Sequence, residues 1–325
     1  VRHFSRGVAL ALLGSGLVVS TDVCAAPPTG ASAETAPAEE PDEPESPEPR
    51  FFVALDSVFG VGKWTVLNTP GTAPVPSSPF TALSLLPGAS FKITNDFAVS
   101  ARLPVTIARF SPTGYDARTT AALGNLEVGA SFTWHAFDEA PLVFGLDVAL
   151  PTAQGSAGAS TSYSYYGPSP TVSTADFDRY AANASASALR GWESIAIFED
   201  NSVGISPRVF MPWRPLPRLF LGPWVKLENL IFTNGGSNIY GADVVAGVRA
   251  DYLVLDALDV GARFWINAPL TNEEQTEVTA VIEPELRLHV GLFTALVSVI
   301  VPLAGPTTIM DPRIVGTRLA LMDRF

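Results

Sequence analysis

The stretch YGADVVAGVRADYLVLDALDVGARFWINA, Tyr240 to Ala268, decides the fold. From Tyr240 every second residue is apolar or small: Ala242, Val244, Ala246, Val248, Ala250 and Tyr252 follow, with Asp243, Gly247, Arg249 and Asp251 between them. After VLDA the alternation resumes as Leu258, Val260, Ala262, Phe264 and Ile266, with Asp259, Gly261, Arg263 and Asn267 on the other phase. A period of two means strands, because successive side chains leave opposite faces of the pleat. A half-buried strand of a secreted sandwich and a strand of a membrane barrel write the same alternation. Strand length and connections have to separate them.

The rhythm starts at Phe51 and predicts strands near 51–62, 80–94, 97–108, 123–136, 141–151, 203–213, 218–231, 240–254, 257–269, 277–290, 294–304 and 313–325. Most of these runs are long. Soluble strands run about 5–6 residues, whereas a tilted membrane strand needs about 9–11. The connections alternate as well. Asn95-Asp96, Phe137–Ala140, Arg214–Pro217, VLDA and Gly291–Phe293 are tight, and the segments near 63–79, 109–122, 152–202, 232–239, 270–276 and 305–312 are longer and rich in Gly, Ser, Thr and Pro. Short turns at one end and long loops at the other are the habit of outer-membrane barrels.

That rhythm also settles Ile195–Phe198 by parity. The strand at 141–151 and the strand before the Arg214–Pro217 turn run in opposite senses, so their connection holds an even number of strands, most simply none. Ala175–Trp192 is then a helix within the loop, since Ala, Leu and Arg favour helix. The expectation is an all-β fold: a transmembrane antiparallel up-and-down barrel of about twelve strands over residues 51–325, with both ends on the periplasmic side. Val315, Leu319, Leu321 and Phe325 share one face of the last strand, similar to the C-terminal signal that the barrel assembly machinery reads, although Asp323 stands where an apolar residue is usual. On this reading the apolar phase meets outer-membrane lipid and the location is the bacterial outer membrane.

Residues 1–25 carry Arg2 and Arg6, an apolar run from Gly7 to Val19 and small residues around Val23-Cys24-Ala25. The run is shorter than the roughly 20 residues a membrane helix needs. It reads as a secretory signal cleaved near Ala25; an uncleaved anchor and a lipoprotein at Cys24 are the competing readings. Residues 26–50 are proline-rich and acidic, with Glu34, Glu39, Glu40, Asp42, Glu43, Glu45 and Glu48, and lack apolar residues to bury. They read as a disordered linker. It is either a solvated tether or a docking arm for a basic periplasmic partner. These carboxylates supply much of the net charge of −12, so that charge says little about the folded part.

The inward phase carries Arg102, Glu127, Arg208, Lys226, Glu228, Asp243, Arg249, Asp251, Arg263, Glu283, Glu285, Arg287, His289 and Arg318. Both signs are mixed. Two readings stand: a network that pairs across the interior, or a pore lining that favours polar or zwitterionic small-molecule solutes. Glu283–His289 is the densest cluster and the candidate constriction. The loop 152–202 is too long for a passive connector; with Tyr163, Tyr165, Tyr166, Arg190 and Trp192 it is a plug, a ligand-presenting gate or an extracellular cover. Enzyme readings find no support, because no His, Asp and Glu spacing resembles a catalytic or metal site and there is no GxGxxG before a helix and no Walker motif. No cofactor is expected, and the acidic balance argues against nucleic acid.

LGNLEVGASF (Leu123–Phe132), followed by PLVFGLDVALPTAQG (Pro141–Gly155), resembles a family. It is similar to the outer-membrane barrels linked to phenol meta-pathway degradation, related in turn to long-chain fatty-acid and aromatic-hydrocarbon transporters. Leu123, Gly124, Leu126 and Gly129 match that family's Leu-Gly-Asp-Leu-x-Leu-Gly strand, and Leu150, Pro151 and Thr152 match its Leu-Pro-Thr-Gly strand end. Asn125 stands in place of the Asp, and Ala153-Gln154 intervene before Gly155. The resemblance implies uptake or diffusion of small hydrophobic compounds, and the expected function is passive passage of small molecules, hydrophobic or aromatic among them. The alternative is a closed barrel acting as surface receptor or envelope scaffold.

Overall fold

The computed structural model describes residues 50–64, 78–111, 116–135, 140–153, 174–233, 240–271, 278–304 and 314–324, and beyond them only the paired dipeptides Leu12–Leu13 and Leu17–Val18. Apart from those dipeptides and Arg50, the residues of the signal and arm readings lie outside the described residues, as does Phe325.

The strands are β1 (Phe51–Trp64), β2 (Ser78–Lys92), β3 (Phe97–Arg102 and Val105–Phe110), β4 (Arg118–Leu123 and Leu126–Trp134), β5 (Leu142–Leu150), β6 (Ser202–Phe210, extended by Trp213–Leu216), β7 (Leu219–Phe232), β8 (Tyr240–Leu255), β9 (Leu258–Pro269), β10 (Thr279–Val290), β11 (Phe293–Ala304) and β12 (Val315–Arg324). Each pairs antiparallel with its neighbours in the chain, and β12 pairs with β1 from Val315↔Val61 to Arg324↔Phe52. That last pairing closes the sheet into a twelve-stranded barrel and leaves no open edge, as hydrocarbon requires. Between β5 and β6 stands the one α-helix of the described residues, α1 (Thr174–Leu189), and Ile195–Phe198 forms no strand.

Two expected strands are interrupted. The 97–108 run breaks at Leu103-Pro104 and the 123–136 run at Gly124-Asn125, while β3 reaches Phe110 and β4 begins at Arg118, so the loop placed at 109–122 is shorter than expected. Pro104 has no N–H to give to the ladder. Across the gap Gly124 N donates to the Pro104 carbonyl at 2.9 Å.

The alternation sorts as the opening stretch predicts. Tyr240, Val248, Tyr252, Val260, Phe264 and Ile266 are exposed, whereas Arg249, Asp251, Asp259 and Arg263 are buried. Exposed Phe51, Phe91, Phe97, Trp134, Tyr252 and Phe293 stand beside the chain's entry to the barrel or its short turns. They form an aromatic girdle of the kind that marks a membrane interface.

The interior departs from expectation. It is not uniformly polar: Val58, Phe80, Phe110, Val245, Trp265, Val281, Ile300 and Ile314 point inward and are buried. Their partner is α1, whose Ala181, Ala182, Ala188 and Leu189 complete the same apolar cluster. A bare helix with ordinary side chains is about 10–12 Å across. The Ala and Ser residues of TADFDRYAANASASAL slim it enough to sit inside the barrel.

Candidate functional site: a segment seated in the lumen

The helix and the residues after it, through Asn201, form an insert held by the inner wall. The helix ends in a Schellman motif, with Trp192 N donating to the Ser187 carbonyl at 2.9 Å and Gly191 N to that of Ala188 at 2.9 Å. Gly191 takes a φ of 66°, the left-handed conformation that this cap needs and glycine adopts freely. A side chain there would also meet Trp265 at 2.7 Å. The wall reads this turn directly: Trp265 Nε1 donates to the Gly191 carbonyl at 3.0 Å and Asn267 Nδ2 to that of Trp192 at 2.9 Å.

Two charges of opposite sign follow each other on the insert, and each finds its counter-charge on the wall. Arg190 Nη1 donates to Asp56 Oδ2 at 2.6 Å, and its Nε donates to Ser84 Oγ at 3.0 Å. Glu193 Oε1 accepts from Arg263 Nη1 at 2.9 Å, and its Oε2 accepts from Arg318 Nη2 at 3.2 Å. Glu283 on β10 sits behind both arginines, accepting from Arg263 and from Ser298 and lying 3.3 Å from Arg318 Nη1. Glu283, Trp265 and Arg318 are 0, 0 and 1% exposed, so insert and wall together fill the interior at this level.

Further along, Lys226 Nζ donates to the Glu193 carbonyl, to Ser194 Oγ at 3.1 Å and to Glu228 Oε1 at 2.7 Å. Glu228 Oε2 accepts from Ile195 N at 2.9 Å. Asn125, at the break in β4, is the clamp. Its Nδ2 donates to the carbonyls of Ala196 at 2.8 Å and Glu199 at 2.7 Å, and its own N donates to the Ile197 carbonyl at 2.7 Å. Its Oδ1 accepts from Ala153 N at 2.8 Å, and Thr152 Oγ1 donates to the Gly124 carbonyl at 3.1 Å. The two stretches that carry the family resemblance thus meet in space, around the foot of the insert. A carboxylate at 125 could not donate these two bonds.

Two of the insert's own carboxyls are disfavoured in their charged form. Burial pushes Glu199 up to about 8, reinforced by Asp200 and Asp243. Asp178, beside Arg118 at 3.3 Å, is also raised, by burial first.

A second set of charges pairs wall to wall. Arg102 holds Glu127 through two bonds of 2.6 and 2.9 Å, and Arg208 holds Asp147. Arg249 reaches Asp251 at 2.6 Å and Glu285 at 3.0 Å, and Arg287 reaches Glu285 at 3.1 Å. Nearest the turns, half-buried His289 lies between Asp259 at 2.9 Å and Thr294 at 3.2 Å.

Of the fourteen inward residues read from the sequence, Arg102, Glu127, Arg208, Arg249, Asp251, Arg263, Glu283, Glu285, Arg287, His289 and Arg318 face the interior, as do Lys226 and Glu228, which bond the insert's backbone, and Asp243, which is half-buried. Only Arg263, Glu283 and Arg318 among them join the insert's charges. Of the loop residues, Arg190 and Trp192 are seated in the lumen, and Tyr163, Tyr165 and Tyr166 lie outside the described residues. Asp56, Asn125 and Glu193 were not anticipated. Asp56 has a usable signal, as the one charge on the inward phase of β1. Among the described residues no group of His, Cys, Asp and Glu is placed to hold a metal ion, and no helix is long and apolar enough to cross a membrane.

No family model matches the chain, and no curated protein matches it. Among solved structures it is similar to an outer membrane channel from Pseudomonas putida F1, with a TM-score of 0.54 at 10% identity over 90% of this chain and 100% of that one. The NanC porin gives 0.47 at 8% identity over 83% and 100%, and the transport unit of the autotransporter AIDA-I from Escherichia coli gives 0.46 at 9% identity over 85% and 90%. At these identities the likeness to the Pseudomonas putida channel is one of fold: a closed antiparallel barrel of the outer-membrane type.

Proposed function

We propose that the protein is an outer-membrane channel for passive passage of small molecules, held closed by the insert Thr174–Asn201. The observation that carries this reading is how the closure is made. The insert is a separate segment, capped at its helix end and clamped by Asn125 at its foot, and its Arg190 and Glu193 meet opposite charges on the wall. The barrel wall is complete without it, since every strand is paired on both sides by other strands. The aromatic girdle and apolar outer face support an outer-membrane location, and β12 is read as the segment that the barrel assembly machinery recognises.

The test is conductance of the refolded chain in planar bilayers, with and without residues 153–200. Silence in the intact chain and stable current steps in the deleted one support a gate. Steps in both support an open pore with the insert as a filter. The filled interior favours one alternative, a closed barrel acting as receptor or scaffold; silence from both proteins, with folding shown by protease resistance, would leave that standing.

A further inference from the structure

The seat of Glu193 names a solute class, and this inference rests on the channel reading above. Arg263 on β9 and Arg318 on β12 are buried, and both guanidinium groups converge on a carboxylate that belongs to the insert, not to the wall. The other carboxylates they reach, Glu283 and Asp56, are fixed in β10 and β1. Withdrawal of the insert therefore takes one acceptor from two buried arginines, which is costly in a low-dielectric interior. A solute carboxylate entering that seat restores the lost bonds, and charge-assisted arginine–carboxylate bonds are among the strongest available. Beside the seat lies Trp265, its ring 5.2 Å from the Arg263 guanidinium carbon and covered in the closed state by Gly191.

We propose that Arg263 and Arg318 bind the carboxylate of a small aromatic acid, and that Glu193 occupies this site as a built-in surrogate while the channel is closed. Solute and insert then compete for one pair of arginines. A ligand that binds only the vacated seat shifts the population toward the open state.

The test uses the full refolded chain in planar bilayers at constant ionic strength, titrated with sodium benzoate and, separately, with neutral benzamide. Benzoate raises the open fraction and benzamide does not. Glu193→Gln raises the open fraction without ligand and lowers the half-saturating benzoate concentration about tenfold or more, because a charged hydrogen-bonding competitor is gone. Equal responses to benzoate and benzamide, or an unmoved half-saturation in the variant, overturn the carboxylate site and leave the channel reading intact. If no current appears under any condition, calorimetric titration of folded Glu193→Gln decides. Binding of benzoate but not benzamide keeps the site and sinks the channel, and binding of neither sinks both.

Discussion

Arg102–Glu127 and Arg263–Glu193 are chemically the same pair, buried to the same degree inside the same barrel. They differ in who owns the partners. Arg102 and Glu127 sit on β3 and β4, opposite each other in register, so the ladder that joins the strands also holds the charges together. Arg263 belongs to the wall and Glu193 to a segment that leaves the sheet after β5 and returns at β6. A pair within the wall stabilises the barrel; a pair between wall and insert stabilises a docking equilibrium. Burial and distance alone do not distinguish the two.

The largest expected effect tests the first half of that contrast. Glu127→Ala takes the carboxylate from Arg102, and removing one member of a buried pair costs about 3–5 kcal/mol. The loss appears as a lower urea midpoint for barrel unfolding, with single-channel behaviour unchanged. If the variant instead opened the channel, the division into wall pairs and docking pairs would fail. Phe264→Arg puts a cation on the lipid face, at about 2–4 kcal/mol near the bilayer midplane. It too lowers barrel stability measured by reversible unfolding in lipid vesicles and leaves gating alone.

Asn125→Ala tests the other half. It leaves the Ala196 and Glu199 carbonyls without their donor, a loss of about 1–3 kcal/mol, which shifts the closed-to-open ratio about 5–150-fold. Barrel unfolding should hardly move, and single-channel open fraction measures the shift.

A smaller effect concerns pH. Glu199 docked in the lumen has a pKa of about 8, above its ordinary 4.5, so docking retains a proton. This group's contribution to docking is fully present below about 4.5 and is lost as pH rises through about 8. The open fraction should therefore rise across that window, and Glu199→Gln should flatten the slope; a profile identical in both would show that another group sets it. Smallest is His135→Ala. The His135–Asp96 pair, at 3.0 Å, is about half exposed on both sides, and such pairs contribute about 0–1 kcal/mol. Neither unfolding nor current should change measurably.

Much of the wall was legible because a pleated strand forces alternate residues to opposite faces. Knowing that Phe264 meets lipid places Arg263 and Trp265 inside without further information. The parity of short turns and long loops likewise excluded a strand at Ile195–Phe198, where the chain makes turns instead. Gly124, Asn125 and Thr152, from the stretches that carry the family resemblance, gather at the foot of the insert, and nothing local to LGNLEVG encodes a partner some seventy residues away. The inward apolar ring around Trp265 went unread, because only the charges of that phase were weighed. Its partner is the helix in the lumen.

The sequence by itself therefore determined a closed twelve-stranded barrel, which residues face outward and which inward, and a helix between β5 and β6. Those properties follow from periodicity and connection length, which are local. Tertiary structure decided that the helix lies inside, that Arg190 and Glu193 are its electrostatic anchors, and that Arg263 and Arg318 serve a segment as well as the wall carboxylates Glu283 and Asp56. Side chains from β1, β9, β12 and the insert converge only when the sheet closes, and a one-dimensional pattern records the face of each residue but not what lies across the lumen.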